Sequence, residues 1–290
     1  FIITGSAIQL FQIIDQATFI HVMGWISKYS KSELLVQFAY FSANPNKITM
    51  ILIAVATSIG GVGIPLLTEN YVKGDFRSAA RLVQDNLSML IFFILPATIG
   101  AVLVAEPLYT VFYGKPDGLA LGLFIFAMLQ TIILSLYTVL APMIQALFQN
   151  RKAIIYFLYG VGVKLVLQVP LIYIFKAYGP LLATTIGLII PILLMYQEIR
   201  KVTGLNPKNL FKRSLLSVIL TVLMTIFVLV AELLIGLFLH PSGRISSFAY
   251  IALIGGIGLA VYGGLALKVR LMDRFIGSKA ASLRRRFHIY

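Results

Sequence analysis

Apolar residues run along this chain in long blocks, each ended by a short turn rich in Gly, Pro, Asn or Lys. A helix needs about 20 apolar residues to cross a hydrocarbon core of roughly 30 Å. By that measure the pattern predicts eight spans, near Phe1–Met23, Leu34–Leu67, Leu87–Val111, Leu119–Phe148, Ala153–Phe175, Tyr178–Tyr196, Leu215–Leu239 and Phe248–Leu267. The second is too long for one straight crossing. Asn44-Pro45-Asn46-Lys47 interrupts it, which predicts a broken or strongly bent helix there. The fold class expected is all-α, a polytopic membrane helical bundle.

The polar connections orient the spans, because short cytoplasmic loops collect Lys and Arg. One alternating set holds Lys73, Arg77 and Arg81, then Arg151 and Lys152, then Arg200, Lys201, Lys208, Lys212 and Arg213. The tail joins that set with Lys268, Arg270, Arg274, Lys279, Arg284, Arg285 and Arg286. The opposite set holds only Lys28, Lys31, Lys115, Lys176 and Arg244, so both ends of the chain are expected in the cytoplasm. Glu69–Asn86 mixes apolar residues with both signs of charge and suits a short helix lying on the cytoplasmic face. The basic stretch Lys268–Tyr290 reads as a stop-transfer tail, with anionic phospholipids as its partner. Phe1 is no initiator, and neither a basic n-region nor a small-residue cleavage site precedes the first apolar run. A start partway through a longer protein is the expectation.

Composition narrows the function classes. Of the 290 residues 59% are apolar and 12% charged, which excludes an ordinary soluble enzyme. The net charge of +14 sits between apolar runs rather than along a hydrophilic face, so it points to a lipid surface and not to nucleic acid. No cysteine occurs, and His21, His240 and His288 lie far apart in sequence, which leaves no Cys-built or His-rich metal site. No nucleophile with a base and no carboxylate pair share one depth, so neither an enzyme nor a bound cofactor is expected.

Ionisable groups inside spans are costly and are functional candidates by default. Lys164 lies mid-span, with Gly160 and Gly162 before it and Pro170 after it. It either faces a water-filled cavity that receives an anionic head group or forms a buried ion pair with Asp15. Asp15 shares a polar stripe with Gln9, Gln12 and Gln16, and reads as a cavity wall and possible coupling-ion site. Lys47 sits beside the Asn44-Pro45-Asn46 interruption, and unwound backbone at membrane depth marks transporter sites. Prolines recur inside spans at Pro65, Pro96, Pro142, Pro170 and Pro191. Gly60-Gly61-Val62-Gly63 lacks the Lys-Ser/Thr of a phosphate loop and reads as helix packing. Gly256, Ala260 and Gly264 read as a small-residue stripe for close helix approach.

The order of certain segments resembles a known family. Ile64-Pro65-Leu66-Leu67-Thr68-Glu69 and Lys73-Gly74-Asp75-Phe76-Arg77 lead into Phe92-Phe93-Ile94-Leu95-Pro96. Ile99-Gly100-Ala101-Val102 through Glu106-Pro107-Leu108 and Val111-Phe112-Tyr113-Gly114 follow. This resembles the second lobe of MurJ-type lipid II flippases and related polysaccharide exporters of the multidrug/oligosaccharidyl-lipid/polysaccharide exporter superfamily. The resemblance implies residues 1–196 as a six-helix second lobe, 197–267 as two additional membrane helices and 268–290 as a basic tail. It also implies a missing N-terminal lobe of the same protein. A cationic cavity between the lobes would take a polyprenyl-pyrophosphate-linked sugar, and a groove reaching the last two helices would hold the tail. The family's cavity arginine falls at or next to Asn46-Lys47, so Lys47 is the nearest cationic equivalent. Lys47, Lys164, Asn46 and Gln12 are the expected substrate contacts. A cation-coupled multidrug exporter centred on Asp15 and a membrane scaffold for cell-wall synthesis are the competing expectations.

Overall fold

The computed structural model describes residues 7–237, 241 and 243–273, and within them it is helical with no strand. The helices are α1 Ala7–Ile26, α2 Lys31–Phe41, α3 Ala43–Val62, α4 Ile64–Val72, α5 Phe76–Leu103 and α6 Ala105–Tyr113. They continue as α7 Gly118–Ala146, α8 Asn150–Phe175, α9 Gly179–Thr203, α10 Pro207–Ile235 and α11 Arg244–Lys268. Each of the eight expected apolar blocks contains a long helix. Six segments are long and apolar enough to cross a membrane, and two of them, Lys31–Val72 and Asn150–Thr203, hold more than one helix. α1 is not among them, because Gln9, Gln12, Asp15, Gln16 and His21 dilute its apolar run.

Local chemistry explains where helices begin and stop. Ser30 caps α2 through a reciprocal box with Glu33: Ser30 N–H donates to Glu33 Oε2 at 2.7 Å, and Glu33 N–H donates to Ser30 Oγ at 3.3 Å. The long second block does break, but at Ser42 (φ −100°, ψ −64°), which ends α2 and starts α3. Asn44–Lys47 therefore form the first helical turn of α3 instead of unwound backbone. Pro45 fits there because first-turn N–H groups have no intrahelical acceptor to lose. Gly63 ends α3, and Pro65 opens α4.

Asp75 caps α5, accepting a hydrogen bond from Ser78 N–H at 3.0 Å. That bond holds the Asp75 carboxyl below the usual carboxylate range. The consequence corrects the expectation of a separate interfacial helix over Glu69–Asn86. Residues 76–86 are the opening turns of the 28-residue α5, and Glu69–Val72 close α4.

By contact the chain forms two units. The first comprises the described residues up to Leu90 together with Asp117–Phe211; the second comprises Ile91–Pro116 and the described residues from Lys212 onward. The stretch 91–116 thus groups with the last two helices, whereas helix order alone assigns it to the preceding bundle. The expected basic tail lies outside the described residues from position 274 onward.

In the first unit α8 and α9 pack along most of their length. Glycine permits it: a Cβ on Gly160 would stand 2.4 Å from Gly187 O. Gly60 plays the same part for α3 against α7, where a Cβ would meet Val139 Cγ2 at 3.0 Å, as the packing reading of the Gly60–Gly63 run expects. Phe19, Met23, Phe41, Leu123 and Ile172 fill the core beside α1.

In the second unit Tyr262 Oη donates to Phe92 O at 2.8 Å, tying α11 to α5. Met224, Val228 and Ile254 pack around that joint. The expected stripe of Gly256, Ala260 and Gly264 is not the contact. A Cβ on Gly256 or Gly264 meets nothing within 4 Å, and the glycine that faces α10 is Gly258, where a Cβ would stand at ordinary contact distance from Val228 (3.4 Å) and Met224 (3.9 Å).

Candidate functional site

The first unit carries a small polar cleft where α1, α3, α7 and α9 converge. Gln12 and Asp15 of α1, Ser42 at the α2–α3 break, and Asn46 and Thr49 of α3 face it. Gln130 of α7 and Thr184 of α9 complete its polar lining, and this open-sided cleft has a volume of about 60 Å³. The break at Ser42 is what lets the first turn of α3 turn its polar residues toward α1.

At the wall of the cleft, Asp15 is 8% exposed and Lys164 is fully buried. Lys164 Nζ donates to Asp15 Oδ1 at 2.8 Å and to Thr184 Oγ1, with the Phe11 ring centroid 4.8 Å away. Gln168, one turn beyond Lys164 on α8, donates from Nε2 to the same Oδ1 at 2.8 Å and to Thr18 Oγ1 at 3.0 Å. The close α8–α9 packing creates this geometry, because Lys164 Cβ lies within 3.1 Å of where a Gly187 Cβ would stand. A buried charge is tolerated when paired and hydrogen-bonded; the Lys164 ammonium is held by Asp15, Thr184 and the Phe11 ring, and Asp15 accepts twice on Oδ1.

Of the two roles open to Lys164, the structure gives the ion pair. Lys164 does not line the cleft; Asp15 stands between. Asp15 is a cavity wall, and its carboxylate already holds a cation, the Lys164 ammonium. Gln12 and Asn46 reach the cleft, while Gln9 and Gln16 of the same stripe are exposed elsewhere on α1. Lys47 is exposed on α3, next to Asn46 in the chain and outside the lining.

Other buried polar anchors escape a reading of the sequence. Gln130 Nε2 donates to Leu181 O at 2.8 Å and to Thr185 Oγ1 at 3.0 Å, fastening α7 to α9 at the wall of the cleft. Lys152 Nζ lies 2.6 Å from Glu198 Oε1, and Tyr156 Oη donates to Glu198 Oε2 at 3.3 Å, tying the opening turns of α8 to the end of α9. The only signal for the latter was an acid, Glu198, at the end of an apolar run.

The second unit holds a larger and almost wholly apolar cavity of about 510 Å³. Phe92, Pro96 and Gly100 of α5 line it with Met224 of α10 and Gly255 and Leu259 of α11.

Fold and site together define a multi-pass α-helical membrane protein with a polar, charge-compensated cleft in one unit and an oily cavity in the other. The Lipid II flippase MurJ family matches residues 3–253, and the chain belongs to that family. A curated relative, the lipid II flippase MurJ of Bacillus subtilis (strain 168), is 28% identical over 283 residues. That match covers 96% of this chain and 52% of the relative, so the chain spans about half the relative's length. No solved structure matches it significantly. Membership places the chain in the cytoplasmic membrane, in keeping with its spanning helices.

Proposed function

We propose that this chain is the C-terminal lobe of a flippase that moves a lipid-linked cell-wall precursor, lipid II or another polyprenyl-pyrophosphate sugar, across the cytoplasmic membrane. The observation that carries the proposal is the polar cleft of Gln12, Asp15, Asn46 and Gln130 sunk into an otherwise apolar helical lobe. Polar lining at membrane depth is expensive unless it lines a path for a polar cargo. A pyrophosphate sugar cannot cross hydrocarbon unaided, so a protein must give its head a wet path while the tail stays in oil.

In this reading the lobe works with an N-terminal lobe by alternating access, each rocking about a shared central site. Lys47, exposed beside the cleft residue Asn46, meets the pyrophosphate. The apolar cavity of the second unit takes a stretch of the polyprenyl tail. The basic connections face the cytoplasm, against anionic phospholipids. The protein performs transport, not bond chemistry.

A multidrug exporter built on Asp15 fits less well. An organic cation needs an unsatisfied acidic group, and Lys164 already neutralises that carboxylate.

The test is translocation by the full-length protein in defined liposomes. Fluorescent lipid II is expected to cross faster than in protein-free vesicles, and Lys47→Ala is expected to slow it about tenfold, the worth of one charge-assisted contact. Translocation no faster than in empty vesicles, or export of a lipophilic cation instead, overturns the reading.

A further inference from the structure

Among the described residues, the one charged side chain lining the cleft is acidic, and it is compensated from behind by Lys164. A pyrophosphate brought into this space would meet a carboxylate at close range and no cation among the described lining residues. The rest of the polar lining is neutral amide and hydroxyl. The Gln12 and Asn46 side-chain amides make no hydrogen bond to any other described residue. Asp15 accepts on Oδ1 from Lys164 and Gln168, and a carboxylate has about four acceptor positions, so it keeps capacity for a further donor. Two amides, each offering a carbonyl and an NH2, therefore converge with one acceptor on a space of about 60 Å³. That is room for roughly four waters or one small polar substituent.

From this we infer that the cleft is a saccharide pocket: Gln12, Asn46 and Asp15 take hydroxyl and acetamido groups of the carried sugar, and the phosphates bind outside it. Neutral groups with both donors and acceptors match such a lining, because every polar atom finds a partner without bringing charge into the interior. Binding energy then divides by chemistry. Lys47 reads the charge common to all pyrophosphate carriers, and the neighbouring Asn46 reads what is attached to it. A carrier stripped of its sugar leaves the amides to water and loses only that share. The inference rests on the transport reading above and assigns the part of the cargo that this cleft contacts.

The experiment measures binding of two lipids to the full-length protein in detergent by native mass spectrometry. The probes are undecaprenyl pyrophosphate and undecaprenyl pyrophosphate bearing one N-acetylhexosamine. Wild-type protein is expected to prefer the sugar-bearing lipid. Gln12→Leu and Asn46→Leu are each expected to weaken that lipid about tenfold, the size of one lost hydrogen bond, and to leave the bare carrier unchanged. Unchanged binding of the bare carrier also shows that the variants are folded. Lys47→Ala is expected to weaken both lipids equally. If the amide variants weaken both lipids alike, or neither, the cleft is a solvated gap and the saccharide assignment is wrong while the transport reading stands. Binding of neither lipid by the wild type overturns the transport reading and this assignment together.

Discussion

Lys164 Nζ on α8 lies 2.8 Å from Asp15 Oδ1 on α1, although 149 residues separate them in the chain. The pair joins the first described helix to a helix-packing seam, and it removes net charge from the floor of the cleft. Breaking one side leaves a buried charge without its partner. Lys164→Met is expected to destabilise the lobe by about 3–5 kcal/mol, and adding Asp15→Leu is expected to restore much of the loss. Thermal unfolding in detergent checks this. Equal melting of wild type and Lys164→Met would show that the pair contributes nothing.

Helix spacing gives a second prediction. Gly160→Ala puts a Cβ 2.4 Å from the Gly187 carbonyl, and backbone cannot swing aside as a side chain can. The expected cost is about 1–3 kcal/mol, because α8 and α9 must separate. Gly162→Ala, two residues on, meets nothing within 4 Å and should gain up to about 1 kcal/mol from helix propensity. The two melting temperatures should therefore move in opposite directions.

Much of this was legible in the apolar blocks, since helices of this length follow from the run of apolar residues alone. Asp15 and Lys164 stood out because charge is rare inside such runs, yet nothing in the pattern chose between a pair and an open cation. That choice depends on α8 and α9 meeting at Gly160 and Gly187, a long-range event. Gln168 had a weak signal, four residues after Lys164 and so on the same helix face. Thr184 had none. Pro45 misled by three residues: a proline in an apolar run suggests unwinding, but in the first turn of α3 it costs nothing, and the chain bends at Ser42. Spacing also misplaced the glycine contact of α11, because Gly256, Gly258 and Gly264 are equally small and only packing selects Gly258.

Filling the apolar cavity separates its fit to a lipid tail from its role in folding. Gly255 lines that cavity, and a Cβ there meets nothing within 4 Å. Gly255→Leu should leave the melting temperature level or raised while slowing lipid translocation about tenfold, if roughly two methylenes of tail lose their place at ~0.8 kcal/mol each. Unchanged translocation would assign the tail to another surface.

The cap of α5 has a pH signature. Ser78 N–H holds the Asp75 carboxyl below its ordinary value of 3.8, so the ionised form is favoured in the folded state. The stabilisation is complete above the ordinary value and disappears as pH falls through the lowered one. Amide protection at Ser78 and Ala79, corrected for intrinsic exchange, should hold between neutral pH and pH about 5 and drop toward pH about 2, within the window that linkage assigns to a capped carboxylate. In Asp75→Ala that drop should be missing.

The most direct test of the central claim is photo-crosslinking during transport. A photo-reactive benzoylphenylalanine replaces Gln12, Lys47 or Val166 in turn, the last an exposed position on α8 away from the cleft. In actively flipping liposomes, positions 12 and 47 should capture the sugar-bearing pyrophosphate lipid, and position 166 only bulk phospholipid. Capture from position 166 as strong as from 12 and 47, in protein that still flips, would contradict the account.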